Sequence, residues 1–182
     1  MIWIKNRSDA TWANKDWIVY HKGLNGGTNP EQRHIDLNQN QAEVTGQQFF
    51  NDTAPTNINF TVGSDSSVNQ NNRLYISFLF ASVAGISKVG YYDGSDSAQT
   101  ITTGFSPRFV IIKNISDTGN WITFDTTRGW GAGNDEYLYL NTTAAQNGAW
   151  DWGAPTSTGF TLTSVNSEYN DGRYKYIYYA HA

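Results

Sequence analysis

The sequence repeats itself, in order, at a distance of about one hundred residues. An Ile-Lys-Asn segment followed by Ser-Asp occurs at 4–9 and again at 112–117. Four further pairs of similar segments follow in the same order: 17–20 with 121–124, 34–38 with 137–141, 60–64 with 160–164, and 74–81 with 173–180. The separation of about one hundred residues is too long for a solenoid repeat or a propeller blade. The sequence therefore predicts a duplicated small domain, which favours a binding or structural module over a single catalytic centre.

Short runs of β-branched and aromatic residues predict strands in both halves, at 2–4, 17–20, 74–80, 109–112, 121–124 and 174–179. No segment predicts a convincing helix, because the best candidate, 37–48, has no regular apolar stripe. We expect an all-β fold of two related antiparallel β-sandwich-like units, 1–84 and 85–182, that arose by internal duplication. The second unit begins with an additional segment, 86–105, whose alternation predicts a hairpin. Asn170-Asp171-Gly172 predicts a second tight hairpin, between Val165 and Tyr174.

Composition excludes several classes of protein. Aromatic and charged residues each make up 15% of the chain, so the chain is solubilised mainly by uncharged polar groups, as in β-rich extracellular or virion proteins. The net charge of −4 and the scattered basic residues argue against a nucleic-acid partner. The chain has no cysteine, which excludes disulfides and thiolate metal sites and suits assembly in a reducing cytoplasm. No apolar stretch approaches 18 residues, so we expect no membrane insertion.

Several motifs resemble a repeat domain of bacteriophage structural proteins. They are FNDTAPT (50–56) with FTVG (60–63), the segment 75–90 that contains FASVAGISKVG, DTTRG (125–129) with AGND (132–135), and LYLN (138–141). Together they extend over almost the whole chain and resemble an uncharacterised domain of tail and tail-fibre proteins of marine and cyanobacterial phages. Members of that family carry a leading hairpin before both units, whereas this sequence opens at the strand 2–6. That difference predicts either a C-terminal fragment or a short free-standing virion protein.

The resemblance implies a virion structural protein with a role in host adhesion, and it brings no catalytic residues. We expect a tail-fibre or tail-tip module that attaches to the host cell surface, with a glycan as the ligand. It would be assembled in the host cytoplasm and exposed on the outside of the particle. The expected partners are other virion proteins and further copies of the chain, with a trimer favoured. The alternative is a purely structural component, a capsid decoration or fibre-shaft protein whose aromatic residues serve subunit contacts. A polysaccharide depolymerase is a more distant alternative.

Three tryptophans in loop-like, glycine-rich surroundings are the candidate glycan-binding residues. Trp130 follows Arg128 and Gly129, and Trp150 and Trp152 flank Asp151. An indole face can stack on a sugar ring while neighbouring polar groups bond its hydroxyls. The alternative is that these tryptophans fill the edge between the two halves or a contact between subunits.

Other residues offer weaker chemistry. Asp135 and Glu136 are a weak candidate for Ca²⁺, although the spacing of an EF-hand loop is absent. Acids in such glycine- and asparagine-rich turns more often bond their own backbone. None of the three histidines, at 21, 34 and 181, recurs in the other half, and no nucleophile elbow appears. We therefore expect no catalytic residue and no cofactor.

The remaining aromatic residues are predicted to be structural. Trp3, Trp17 and Trp121 lie within predicted strands and should belong to the core. The C-terminal strand alternates tyrosines on both faces, which fits either a half-solvated sheet or a trimer interface.

Overall fold

A computed structural model describes residues 1–8, 16–163 and 165–182. Asp9 and Ser164, each part of a repeated segment, lie outside the described residues. The predicted all-β class is confirmed, since the fold consists of three antiparallel sheets. None of the helices in the described ranges has the length and apolarity needed to cross a membrane.

The first sheet is formed by the N-terminal half of the chain and has the strand order β4-β3-β2-β1-β5. Its members are β1 (Ile2–Asn6), β2 (Ile18–Tyr20), β3 (Arg33–Asp36), β4 (Val44–Thr45) and β5 (Tyr75–Leu79). Three short helical segments join or follow these strands: two 3₁₀ turns at Leu24–Gly27 and Pro30–Gln32, and the one-turn helix α1 (Gln47–Phe50). The first sheet therefore takes all of its strands from the predicted first unit.

The C-terminal half forms a six-stranded and a three-stranded sheet. Its strands are β6 (Ser87–Asp93), β7 (Gln99–Thr102), β8 (Phe109–Asn114), β9 (Ile122–Asp125), β10 (Asp135–Tyr139), β11 (Asn147–Trp150), β12 (Pro155–Thr156), β13 (Gly159–Leu162) and β14 (Lys175–His181). The second sheet has the order β11-β10-β9-β8-β14-β6, and the third has the order β12-β13-β7.

Three hydrophobic clusters separate the sheets into layers. One cluster lies between the first and second sheets and joins Val19 and Ile35 of the first to Ile111 and Ile177 of the second. It also contains Trp121, the residue just before β9. A second cluster fills the space between the second and third sheets, and a third lies between the first sheet and the segment around α1. Because strand side chains alternate between faces, the second sheet is buried on both sides, which explains its nearly continuous apolar runs.

The first and second sheets share one strand order. In the first sheet β1 lies beside β5, with β2, β3 and β4 following on its other side, and in the second sheet β8 lies beside β14, with β9, β10 and β11 following on its other side. The pairs that correspond are β1 with β8, β2 with β9, β3 with β10, β4 with β11, and β5 with β14. The second sheet differs by one additional strand, β6, which covers the outer edge of β14.

Local hydrogen bonds also recur at corresponding positions. Asn6 Oδ1 accepts from the Ser8 amide at 3.0 Å, and Asn114 Oδ1 accepts from the Ser116 amide at 2.8 Å. The Trp17 amide donates to Asn38 Oδ1 at 2.8 Å, and the Trp121 amide donates to Asn141 Oδ1 at 2.9 Å. The repeated asparagines therefore serve the same purpose in both halves, which is to hold a backbone amide where a strand begins or ends.

The last pair of repeated segments aligns differently in space from the way it aligns in sequence. Tyr75 lies opposite Asn6, and the residue in the same position opposite Asn114 is Tyr176, not Tyr174. Both Tyr75 and Tyr176 donate a phenol hydrogen to a backbone carbonyl, at 2.7 and 3.0 Å. A shift by two residues keeps every side chain on its face, so sequence similarity alone cannot detect it. The duplication itself stays a prediction.

Both predicted hairpins are wrong in their pairing. The segment 86–105 does contain two strands, but β6 pairs with β14 and β7 pairs with β13, in different sheets. Asn170-Asp171-Gly172 lies in a turn before β14, and Val165 belongs to no strand. β6 and β7 therefore both pair with strands that are remote from them along the chain.

The structure also changes the interpretation of the C-terminal tyrosines. β14 lies between β8 and β6, and Tyr176 and Tyr178 are 0% and 4% exposed. Their rings pack on Tyr92, at centroid distances of 5.1 and 6.1 Å. These tyrosines therefore belong to the interior and are not available for a trimer interface. Of the tryptophans predicted to be core, Trp121 is fully buried, whereas Trp3 and Trp17 are half-buried.

Candidate functional site

Trp130, one of the three candidate glycan-binding tryptophans, is a core residue. It is 4% exposed and packs against Phe124 and Phe160, with ring centroids 5.6 and 6.1 Å away. An indole enclosed in this way presents no face to a ligand. The prediction that Trp130 binds a glycan is therefore wrong.

Trp152 is also buried, at 4% exposure, but it lies beneath an open cleft. Its ring packs between Tyr137 and Tyr169, with centroid distances of 4.7 and 4.4 Å. These three rings form the floor of the cleft. The role of Trp152 is thus to support the site and not to stack on a ligand.

Trp150 is the exposed member of the three, with 66% of its surface accessible. It ends β11 and lines the same cleft, together with Asp151, Val165, Asn166, Glu168 and Tyr139. We call this surface the aromatic cleft. Its volume is about 360 Å³, toward the lower end of the range of small-ligand sites, roughly 300–1,000 Å³.

Asp135 holds the chain that leads from Trp150 into the floor of the cleft. Its Oδ2 accepts from the amides of Trp152 and Gly153 at 2.7 and 3.1 Å, and its Oδ1 accepts from the Gly131 amide at 2.9 Å. The side chain is fully buried. Burial raises the pKa of the Asp135 carboxyl, and the three amide hydrogen bonds oppose that rise.

The same contacts remove Asp135 from the candidate Ca²⁺ site. Its oxygens already accept three hydrogen bonds, and Glu136, the next residue along β10, points to the opposite face of the strand. Glu136 instead accepts a hydrogen bond from Gln146 Nε2 at 2.8 Å. Within the described ranges no group of three or more acidic, histidine or cysteine side chains is arranged to hold a metal ion.

Glu168 and Tyr139 form a fixed polar wall of the aromatic cleft. Glu168 Oε2 accepts from the Tyr139 hydroxyl at 2.9 Å, and Oε1 accepts from Asn120 Nδ2 at 2.8 Å. Burial and the neighbouring Glu168 raise the pKa of Tyr139, so its hydroxyl remains a donor. This pair was not predictable from the sequence, because β10 and the 165–170 loop are remote from each other along the chain.

Among the described residues that line the aromatic cleft, two are acidic, Asp151 and Glu168, and none is a lysine or an arginine. Asp151 is exposed and follows Trp150 directly. The fifth predicted site residue, Arg128, is exposed elsewhere, where its guanidinium donates to Gln146 Oε1 at 2.9 Å. The structure thus brings Trp150, Asp151 and Trp152 together and leaves Trp130 and Arg128 outside the cleft.

The histidines take no part in the aromatic cleft. His21 is fully buried, accepts from the Gly23 amide at its Nδ1 and lies 3.1 Å from the Tyr178 carbonyl at its Nε2. Burial lowers the pKa of His21 to about 3 and that of His34 to about 4. Both rings are therefore neutral at physiological pH. His181 is exposed near the end of β14.

A second, more apolar cleft lies at the end of the first sheet and was not predicted. It measures about 760 Å³ and is lined by Tyr20, Lys22, Ile58, Phe60 and Leu79, among others. Ile58 is 86% exposed at its rim. Its lining includes polar residues such as Thr56 and Asn59, but it is more apolar than the aromatic cleft and its described residues include no tryptophan, so it offers no exposed indole face to a sugar ring.

Comparison with known proteins identifies the family of the chain but assigns it no function. The chain belongs to the DUF7483 family, described as a domain of unknown function, whose model matches residues 1–182. No curated protein and no solved structure matches the chain. The family model spans both halves of the chain, so the first and second sheets belong to one family domain.

Proposed function

We propose that this DUF7483 domain is a glycan-binding attachment module, with the aromatic cleft as its binding site. The observation that carries the proposal is Trp150, an indole 66% exposed beside a fixed wall of polar groups. Its flat face would stack on a sugar ring, and Tyr139, Asn166 and Asp151 would bond the hydroxyls. The virion setting rests on the resemblance of the sequence motifs to phage tail and tail-fibre domains.

The charge of the cleft narrows the ligand to a neutral or amino-bearing sugar. Asp151 and Glu168 line it, and the part of its lining that the structure describes contains no basic residue. A sugar carboxylate or sulfate would meet these acids unpaired, which costs binding free energy. We therefore expect neutral hexoses or hexosamines to bind, and uronic-acid or sialic-acid glycans to bind weakly.

The geometry favours binding over hydrolysis. Asp151 and Glu168 are the residue types that glycosidases use in pairs. Both oxygens of Glu168, however, accept hydrogen bonds, from Asn120 and Tyr139. Glu168 is thereby held in the wall of the cleft by two neighbouring side chains, which favours a supporting role for it.

The test is a comparison of Trp150→Ala with Ile58→Ala. Both side chains are highly exposed, so both variants should fold, and each removes the rim of one cleft. Binding to host-cell glycans is measured by glycan array and by calorimetry with the best ligand. Trp150→Ala should weaken binding on the order of tenfold or more, as expected for a tryptophan at the centre of an interface. Ile58→Ala should bind like the parent chain.

Other outcomes would overturn the proposal. Unchanged affinity in Trp150→Ala would remove the aromatic cleft as the site. A loss of binding in Ile58→Ala alone would place the ligand in the second cleft. Release of reducing ends from the bound glycan would make the protein a depolymerase, and preference for an acidic glycan would contradict the ligand class.

A purely structural virion component is the second candidate, and one observation favours it. Leu74, Phe78 and Leu79 are 65%, 45% and 64% exposed around a single strand. An exposed apolar patch of this kind marks an interaction surface. Absence of glycan binding together with stable self-association would favour this second function.

A further inference from the structure

β5 forms an edge of the first sheet, and in the described part of the chain no strand pairs with its outer side. Soluble proteins protect such edges with charged side chains, prolines or bulges, because an open edge is a template for another strand. Residues 75–79 contain no charged residue and no proline. Ile76, Phe78 and Leu79 are 39%, 45% and 64% exposed. This edge is therefore both apolar and unprotected.

The second sheet shows how the fold treats the corresponding edge. β14 occupies the position of β5, beside β8, the counterpart of β1, and its outer side is covered by β6. The two strands are antiparallel and match over seven residue pairs, from Lys175 with Asp93 to His181 with Ser87. A strand in this position of the fold thus accepts an antiparallel neighbour.

The pairing of β5 with β1 determines which residues of β5 direct their backbone amides and carbonyls outward. Met1 and Phe80 exchange both of their hydrogen bonds, at 3.0 and 2.9 Å, and the Arg7 amide donates to the Leu74 carbonyl. Hydrogen-bonding residues alternate along an antiparallel pair. Residues 74, 76, 78 and 80 therefore bond to β1, and Tyr75, Ser77 and Leu79 direct their amides and carbonyls away from it.

We propose that a second copy of this chain pairs its β5 with this one, antiparallel, around a two-fold axis at Ser77. In this register Ser77 faces the partner's Ser77, and Tyr75 faces the partner's Leu79. Each of the three outward residues then exchanges amide and carbonyl hydrogen bonds with the partner strand, so β5 is hydrogen-bonded along both of its edges. Ile76 lies opposite the partner's Phe78, an aromatic and β-branched pair of the kind that stabilises sheets.

The occupant is a second copy because the edge is complementary to itself. The outward backbone groups of β5 are placed symmetrically about Ser77, so two copies of the strand can pair antiparallel with every one of these groups bonded. β5 carries no charged side chain that would repel the same strand of a second copy. Pairing about a two-fold axis closes with two subunits, so the expected state is a dimer and not the trimer that the sequence favoured. The proposal is independent of glycan binding, because Ser77 and the aromatic cleft lie in different sheets.

A charge exchange at the axis tests the register. Ser77 is exposed, so Ser77→Lys and Ser77→Glu should both fold, as checked by circular dichroism. Sedimentation should show the parent chain and Ser77→Ala as dimers in the micromolar range, consistent with a small interface. Ser77→Lys and Ser77→Glu should each be monomers, because like charges would meet at the axis. An equal mixture of the two should restore the dimer.

A dimer recovered in the mixture would show that residue 77 of one copy meets residue 77 of the other, because local damage to either variant would not be reversed by mixing. A parent chain that stays monomeric well above the micromolar range would overturn the proposal. So would a trimer, a dimer that persists in both charged variants, or a mixture of the two that stays monomeric. Glycan binding by the monomeric variants should equal that of the parent chain per site, which separates this outcome from the proposed function.

Discussion

The indole of Trp121 and the backbone of Asp36 join the two large sheets. Trp121 Nε1 donates to the Asp36 carbonyl at 2.9 Å, and the ring is 1% exposed within the cluster between the sheets. Neither sheet can cover that cluster alone. The two halves of the chain, although similar in strand order, therefore depend on each other for a complete core.

Trp121→Phe should lower the free energy of unfolding by about 2–4 kcal/mol, because it removes a buried hydrogen bond to the Asp36 carbonyl, which keeps only the longer bond from the Gln39 amide, and because it creates a cavity. Urea unfolding, followed by near- and far-ultraviolet circular dichroism, should still show one transition for both halves. The control is Trp150→Phe, which changes an exposed indole and should stay within about 0.5 kcal/mol of the parent. Two separate transitions, or folded fragments 1–84 and 85–182, would contradict this dependence.

The strands were predictable from sequence, but their partners were not. Runs such as 109–112 and 174–179 are rich in β-branched and aromatic residues, and both became strands, β8 and β14. The pairing of β6 with β14 joins residues more than eighty positions apart. No local turn signal carries that information, which is why the segment 86–105 was predicted as a hairpin.

The candidate site was predictable only in part, for a similar reason. Trp150 and Trp152 have nearly identical sequence surroundings, and a regular strand would place both on one face. β11 ends at Trp150, however, and the amides of Trp152 and Gly153 turn inward to Asp135. One indole is therefore exposed and the other buried. Glu168 reaches the cleft through tertiary packing, so nothing near it in sequence marks it as a wall residue.

Asp135→Asn should destabilise the protein by about 2–4 kcal/mol. The amide cannot accept all three backbone hydrogen bonds, and its NH₂ group would face a buried N–H donor. Asp151→Asn is the matched control, since Asp151 is exposed in the same cleft; it should change stability by less than about 0.5 kcal/mol. Thermal unfolding measures both. Equal stability of the two variants would show that Asp135 does not hold the floor of the cleft.

Gly153→Ala should be far more damaging than Gly131→Ala. Gly153 has a φ of +133°, and an added Cβ would lie 1.9 Å from the Thr161 carbonyl oxygen. The backbone must shift, at a cost of about 2 kcal/mol or more. A Cβ at Gly131 meets nothing within 4 Å. Chemical unfolding of the two variants compares them, and a similar loss in both would contradict the close packing of the chain against β13.

The free energy of unfolding should increase as the pH rises from about 8 to 9.5, because Lys113 loses a proton when the chain folds. Burial lowers the pKa of its ammonium to about 7, and Glu168 and Asp117 only partly oppose this shift. An unfolded lysine keeps its proton up to about pH 10.4, so in this window the unfolded chain binds more protons than the folded one. Unfolding free energy should therefore increase with pH, by up to about 1.4 kcal/mol per pH unit.

The increase should reverse above about pH 10, where unfolded tyrosines ionise. Burial raises the pKa of Tyr178 to about 12, so the folded chain keeps a proton that the unfolded chain loses. Lys113→Met should flatten the rise between pH 8 and 9.5, because it removes the group that binds a proton only on unfolding. Lys175→Met should leave the rise intact, since Lys175 is exposed and paired with Asp93. A rise of equal size in Lys113→Met would assign it to another group and show that the buried ammonium is not deprotonated on folding.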